Sequence, residues 1–302
     1  MDPAAILGRV LDRPRVAYVM AVLDTYGRAA GGLLANGLAF AALFAVIPIA
    51  LVTLGLAGLV FADSRVQQSL ADALAQAFPP LADLIEGALA AIAQKAALTS
   101  IVGVIGLVWT VSQFYVTLDV AFARIFADEP ERDVFRRTAR GLVWVGGLLA
   151  GVIIVIIAGA LLSAGSALLP GTSPLGRSAV DLITSWPALM AGAIVLTHVI
   201  YKVVPPRSPS WRTISLPAVM VAVAIVLLTQ LFMFLAPRLV GVAALAGSLA
   251  TAFIALAWLS FSFQVLLYGA AWIRVRMDRA AATGPSALAG PAAPAEPGGG
   301  GQ

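Results

Sequence analysis

The placement of charged residues is the feature that most constrains this chain. Six stretches contain no Asp, Glu, Lys or Arg, and each is at least 20 residues long. They cover residues 29–62, 96–118, 141–176, 182–201, 213–237 and 239–273. About 20 apolar residues of α-helix, rising about 1.5 Å each, span the roughly 30 Å hydrocarbon core of a bilayer. The stretches lack the polar and apolar alternation that is typical of membrane strands. We therefore predict an all-α, polytopic membrane bundle with six transmembrane helices.

The composition excludes an ordinary soluble domain. Hydrophobic residues make up 61% of the chain and charged residues only 11%, whereas about a quarter of the residues in soluble domains are charged. There is no cysteine, which excludes disulfide bonds and thiolate metal sites. The formal net charge of +4 does not indicate nucleic acid, because in a membrane protein the positions of the basic residues matter more than their sum.

The segments between the stretches differ in basic residues, and this difference predicts the orientation. Alternate segments, beginning with the N-terminal one, hold 15 of the 19 Lys and Arg residues. These are Arg9, Arg13, Arg15, Arg28, Arg124, Arg132, Arg136, Arg137, Arg140, Lys202, Arg207, Arg212, Arg274, Arg276 and Arg279. Because basic residues are enriched in cytoplasmic segments, both termini are predicted to be cytoplasmic. The first residues lack the pattern of a cleaved signal peptide, and none is expected.

Three regions follow from this organisation. Residues 1–35 are predicted to be a cytoplasmic segment whose amphipathic part, 14–31, forms a helix at the membrane interface or packs on other cytoplasmic loops. Residues 36–276 form the transmembrane domain, and its long first external loop, 62–97, carries two apolar stripes that predict amphipathic helices. Residues 277–302 are rich in Ala, Pro and Gly and are predicted to be a disordered cytoplasmic tail.

Polar residues and prolines within the charge-free stretches are candidates for a cavity or a gate, since polar groups are costly in a bilayer. The candidates are Asn36, Pro48, Trp109, Ser112, Gln113, Asp119, His198, Gln230, Gln264 and Tyr268. Such groups also hold helices together without any ligand. His198, the only histidine, relays protons in one interpretation and is a hydrogen-bonded packing residue in the other. A kink at Pro48 serves either a gate or a static bend.

No enzyme site is recognisable. The carboxylates lie in loops among arginines, far from the single histidine, and there is no phosphate-binding GxxxxGK[ST], GxSxG or HExxH motif. We therefore predict no catalytic residue, no metal site and no cofactor. The loop at 119–140 alternates in charge sign, as in DEPERDVFRRTAR, which is typical of a solvated helical surface.

Three segments together resemble one known family. The segments are NGLAFAALFAVIPIALVTLGLAGLVF, GLVWTVSQFYVTLDVAFARIF and YKVVPPRSPSWRTISLPAVMVA. They are similar to the YihY and virulence factor BrkB family, and the resemblance covers about residues 15–276. It implies a six-helix protein of the bacterial plasma membrane, with proposed roles in transport or export. Ala271 stands where the family often has Glu. The old family label ribonuclease BN has no support in these residues.

Two functions from different classes remain open. The first is a transporter, exporter or lipid translocase whose partners are membrane lipids and a small-molecule or lipid substrate, not nucleic acid. The alternative is a non-transporting scaffold that binds partners through the 119–140 loop or the N-terminal helix. An intramembrane enzyme is a third, less favoured hypothesis. Substrate, direction, energy coupling and oligomeric state do not follow from the sequence.

Overall fold

The structure, a computed structural model, describes residues 14–60, 96–126, 186–242 and 248–282. Within these ranges the secondary structure is entirely helical. The helices are α1 (Pro14–Arg28), α2 (Gly31–Val60), α3 (Ala96–Phe126), α4 (Trp186–Val203), α5 (Trp211–Val242) and α6 (Ser248–Ala282). The predicted third transmembrane helix in 141–176, the helices of the first external loop and the charged loop beyond Phe126 lie outside the described residues.

Two described helices are long and apolar enough to cross a membrane, at Trp211–Leu235 and Ala252–Ala282. A third candidate combines Pro14–Arg28 with Gly31–Ala45, which are bent by 59° at the break between them. Met190–Val203 is a shorter apolar helix. The protein is therefore an all-helical membrane protein with two or three candidate spans in the described ranges. α6 continues to Ala282, so residues 277–282 of the predicted tail are helical.

The helix directions follow from pairs of contacting side chains, because in an antiparallel pair one residue number rises as the other falls. α2 and α6 are antiparallel, since Asn36 contacts Ser260 while Tyr26, whose ring lies against Gly31 at the start of α2, contacts Tyr268. α5 and α6 are also antiparallel, with contacts that pair Thr229 with Trp258 and Arg212 with Arg276. α3 runs parallel to α6, because Phe114 meets Phe263 and Phe126 meets Arg274.

The α4–α5 turn fixes the direction of α4. The turn contains Pro205, Pro206 and Pro209, and proline cannot continue the helical hydrogen-bond pattern. Ser210 then caps α5, accepting a hydrogen bond from the Thr213 amide at 3.3 Å. Because α4 packs along α5 after this short turn, α4 runs parallel to α6 and to α3. The last residue of α3 and the first residue of α4 therefore lie at opposite ends of the bundle.

We call the end at which α2 begins and α6 finishes the basic end, because most of the described Lys and Arg residues lie there. α6 is the central element and packs against α1, α2, α3 and α5. The largest buried cluster joins these helices with α4, and its largest fully buried side chains are Tyr201, Phe122 and Phe126. A smaller cluster around Trp258 and Phe232 lies farther from the basic end. Burial of these apolar side chains fixes the positions of the polar groups between the helices.

Candidate functional site

Three polar side chains from α2 and α6 form a chain of hydrogen bonds that we call the polar cluster: Asn36, Ser260 and Gln264. Ser260 Oγ donates to Asn36 Oδ1 at 2.5 Å, and Gln264 Nε2 donates to Ser260 Oγ at 3.3 Å. Ser260 and Gln264 are one helical turn apart, so they share a face of α6. The antiparallel packing of α2 on α6 places Asn36 opposite them. The cluster therefore links two helices through uncharged hydrogen-bonding groups.

The polar cluster lies deep in the apolar part of α6. Gln264 precedes Arg274 by ten residues, which is about 15 Å of helix, and Ser260 lies about one turn farther away. Because the hydrocarbon core is roughly 30 Å thick, these groups lie near its middle. Asn36 is nevertheless exposed, and Ser260 and Gln264 are only half-buried. An amide exposed to lipid at this depth would cost several kcal/mol if unpaired, roughly the transfer cost of an amide to hydrocarbon.

An aromatic surface adjoins the polar cluster on α2. Phe40 and Phe44 follow Asn36 at intervals of one turn, so all three lie on one helix face. The two rings are 58% and 56% exposed, and their centroids are 4.6 Å apart. This face therefore combines an amide with a continuous apolar surface.

A stack of two tyrosines lies between the polar cluster and the basic end. The rings of Tyr26 and Tyr268 are 3.8 Å apart between centroids and almost parallel. Tyr268 lies one turn beyond Gln264 on α6. Tyr26 is 8% exposed, and its hydroxyl finds no hydrogen-bond partner in the part of the chain that the structure describes. Tyr268 was predicted as a site residue, whereas Tyr26 belongs to the amphipathic part 14–31 and was not.

Three of the predicted site residues, Asn36, Gln264 and Tyr268, are thus brought together. The candidates on α3 are not part of this group: Trp109 is 67% exposed, Gln113 is exposed and Ser112 is half-buried. Asp119, also on α3, is buried and has an interaction partner. These four residues remain predictions as site residues.

The remaining candidates lie on other helices. His198 Nδ1 is 2.8 Å from the carbonyl oxygen of Ile194 in its own helix, which is a local contact. Gln230 is exposed on α5. The backbone of α2 is helical through Pro48, whose side chain is outside the described residues, and the kink predicted there remains a prediction. The bend that the structure shows lies instead between α1 and α2.

Helix ends at the basic end are joined by cationic side chains. Arg274 donates through Nη1 to the carbonyl oxygen of Phe126, the last residue of α3, and through Nε to Asp278 at 3.0 Å. Lys202 Nζ donates to the carbonyl oxygen of Pro209 at 2.8 Å and lies 5.4 Å from the ring of Trp211. The contact of Arg274 with Phe126 places a cation at the negative C-terminal end of the α3 dipole. The contacts of Arg274 and Lys202 show that part of the basic charge at this end has a structural role.

A buried tyrosine joins α4 to α6 near the basic end. Tyr201 is fully buried and donates its hydroxyl hydrogen to the carbonyl oxygen of Leu266 at 2.7 Å. Its ring meets Phe122 of α3 at 6.2 Å between centroids. Gly269 leaves the room for this side chain, because a β-carbon there would lie 3.0 Å from Tyr201 Cζ and would collide with the hydroxyl. In the sequence, Tyr201 was visible only as part of the family resemblance.

A comparison with known families assigns the chain to one of them. The profile of the family described as Virulence factor BrkB matches residues 22–292. The chain belongs to the BrkB family. The match includes every described helix from the end of α1 to the end of α6, and with it the polar cluster and the tyrosine stack of this BrkB protein. Comparisons with curated proteins and with solved structures found no match. Among the described residues no three His, Asp or Glu side chains form a group that could hold a metal ion.

Proposed function

We propose that this BrkB-family protein is a transporter, exporter or lipid translocase of the bacterial plasma membrane. One observation carries the proposal: a hydrogen-bonded amide and hydroxyl cluster lies near the middle of the charge-free part of α6 and is open on one side. Amides that only hold two helices together can be completely enclosed between them. An open amide at this depth is better explained by a cavity that receives polar groups.

The surroundings of the cluster favour a lipid over a purely polar solute. Asn36 offers hydrogen bonds, while Phe40 and Phe44 on the same face offer apolar surface. A molecule with a polar head and an apolar tail satisfies both parts at once, because the head restores hydrogen bonds and the tail covers the rings. The cluster has no charged member, so the group that enters it is expected to be neutral.

A flux measurement tests the proposal. We expect proteoliposomes containing the protein to move NBD-labelled phosphatidylethanolamine between leaflets faster than protein-free vesicles, measured by dithionite quenching. The NBD label is on the acyl chain, so that the zwitterionic headgroup keeps no net charge. Gln264→Leu removes the donor to Ser260 while keeping a similar volume. We expect it to reduce the rate roughly tenfold, as the loss of about 1.4 kcal/mol of hydrogen bonding would do.

Gln230→Leu is the matched control, because Gln230 was also a candidate in the sequence but is exposed on α5 outside the cluster. It should retain the parent rate. Release of entrapped radiolabelled sugar from the same vesicles measures transport of a neutral solute. Sugar efflux without lipid movement would indicate a solute transporter. Rates equal to those of protein-free vesicles for both probes would contradict transport and favour the scaffold.

We also propose that the chain crosses the membrane six times with both termini cytoplasmic. The directions of the described helices support this, because α3 and α4 both run toward the basic end. A crossing in the opposite direction is needed between them, and the charge-free stretch 141–176 is long enough to provide it. The enrichment of basic residues at one end supports the assignment of that end to the cytoplasm.

Cysteine labelling tests this topology cleanly, since the chain has no cysteine of its own. Arg124, Pro187 and Ala281 are exposed positions on α3, α4 and α6. In intact spheroplasts, a membrane-impermeant maleimide is expected to label Pro187→Cys at least tenfold more than Arg124→Cys or Ala281→Cys. Permeabilisation should make all three react. Equal labelling of Arg124→Cys and Pro187→Cys in intact spheroplasts would contradict the third crossing.

A further inference from the structure

The junction of α1 and α2 is a sharp elbow held in an unfavourable backbone conformation. The two helices meet at 59° around Ala29 and Ala30. Ala30 has a φ of 54°, a left-handed value that side-chain-bearing residues rarely adopt. Its amide donates to the carbonyl oxygen of Gly27 at 2.9 Å, which closes the turn. An elbow under such local strain is a natural position for a hinge.

Two contacts hold α1 against α6 on the far side of the elbow. Tyr26 stacks on Tyr268, and the guanidinium of Arg279 lies 4.3 Å from the ring centroid of Tyr18. α1 therefore lies along the last turns of α6. Tyr268 is one turn from Gln264, so α1 lies along α6 on the basic-end side of the polar cluster.

The ring of Tyr26 is well packed, but its hydroxyl makes no hydrogen bond to the described residues. Its ring is buried against Tyr268 and Gly31. Its hydroxyl is also buried, without a partner among the described residues. Burial of a hydroxyl without a hydrogen bond destabilises the conformation in which it occurs. Packing of the ring therefore favours the observed position of α1 against α6. The hydroxyl instead favours a position in contact with water or lipid headgroups.

We propose that α1 is a hinged lid at the basic end of the bundle, seated by the tyrosine stack and opening at the Ala29–Ala30 elbow. In the seated position it separates the polar cluster from the solvent at the basic end. The hydroxyl of Tyr26 gains hydrogen-bond partners when the lid opens, which lowers the free-energy cost of opening while the seated position stays the more stable. This inference goes beyond the proposed function, because the position of α1 is measurable without any substrate.

Two glycines on either side of the elbow provide a test with an internal control. A β-carbon at Gly31 would lie 2.7 Å from Tyr26 Cζ, so Gly31→Ala should displace the ring and favour the open lid. A β-carbon at Gly27 meets nothing within 4 Å, so Gly27→Ala should leave the lid seated. Tyr26→Phe removes only the unpartnered hydroxyl and should favour the seated lid.

Spin labels at Met20→Cys and Arg212→Cys report the position of α1 relative to α5, because both positions are exposed and the chain has no other cysteine. Distances are measured by double electron–electron resonance in lipid nanodiscs. We expect one narrow distribution for the otherwise unchanged chain, for Gly27→Ala and for Tyr26→Phe. Gly31→Ala should add a population shifted by about 5 Å or more, which is about one helical turn.

An unchanged distribution in Gly31→Ala would overturn the lid, as would an equal shift in Gly27→Ala. If Gly31→Ala does not fold, Tyr268→Leu gives the same readout, because it removes the stacking partner and leaves the elbow intact. It should produce the shifted population, and a parent-like distribution would overturn the proposal. Failure of lipid flux in vesicles would not change these distances, so the two proposals fail separately.

Discussion

Gly269→Ala is expected to lower the free energy of unfolding by about 3 kcal/mol, at the upper end of the usual cost of overpacking a core. A β-carbon at this position would lie 2.5 Å from Val221 Cγ2 and would collide with the Tyr201 hydroxyl. Tyr201 is fully buried and hydrogen-bonded to Leu266, and Val221 is buried on α5, so neither side chain has room to move. The change therefore separates α6 from both α4 and α5. Denaturation in detergent followed by tryptophan fluorescence measures the loss.

A control substitution at another glycine and a compensating substitution at Tyr201 test whether the collision causes the loss. A β-carbon at Gly192 in α4 meets nothing within 4 Å, so Gly192→Ala should be neutral or stabilising by a few tenths of a kcal/mol to about 1 kcal/mol. Tyr201→Phe removes the colliding hydroxyl and should recover part of the loss when combined with Gly269→Ala. Additive losses in the double variant would show that the two residues do not conflict, contrary to the geometry.

The helices were predictable from the sequence, but their ends were not. Within the described residues, the charge-free stretches correctly indicated helices, because unpaired charges are excluded from hydrocarbon. The stretch 96–118 nevertheless continues as helix to Phe126, and the stretch 239–273 continues to Ala282. A helix leaving the hydrocarbon needs no charge-free sequence, since water and neighbouring helices solvate its charged residues. Charge spacing therefore indicates the part of a helix that lies in the bilayer and not its full length.

The sequence indicated which residues were candidates for the site. It did not indicate which of them lie close together. Asn36, Gln264 and Tyr268 were candidates because polar groups in a bilayer are costly, and the structure brings them close together. Gln113 and Gln230 have the same character and lie elsewhere. Which residues converge depends on which helices are neighbours and on their register. Both are determined by contacts between residues that are more than 200 positions apart in the chain.

Tyr26 and Gly269 show a second kind of information that the sequence did not contain. Tyr26 belongs to the amphipathic part 14–31, and nothing in its spacing indicates that its hydroxyl is buried without a partner among the described residues. Gly269 is one of 28 glycines, and small residues in membrane helices usually indicate close helix packing. Its importance comes from two side chains of other helices, those of Tyr201 and Val221, which are 68 and 48 positions earlier. Such pairings require the tertiary structure.

The second large effect is expected at Arg274, where Arg274→Gln should lower the free energy of unfolding by about 2 kcal/mol, the typical value for hydrogen bonds to a charged donor. Arg274 donates to the carbonyl oxygen of Phe126, which ends α3, and pairs with Asp278 one turn away in α6. Its side chain is 23% exposed, so little water replaces these partners. A cation at a helix C-terminus also offsets the helix dipole, and glutamine cannot do so.

Arg28→Gln isolates the contribution of the Phe126 carbonyl. Arg28 also pairs with an aspartate one turn away, Asp24, but its side chain is 70% exposed. Loss of such a surface pair costs about 0.3–0.5 kcal/mol. Because both variants lose a charge and an ion pair of the same spacing, the difference in unfolding free energy reports the junction of α3 with α6. Hydrogen exchange should also show faster exchange in the last turn of α3 in Arg274→Gln alone. Equal losses in the two variants would mean that Arg274 does not hold the end of α3, and that the junction of α3 with α6 is stabilised by the buried contacts of Phe122 and Phe126.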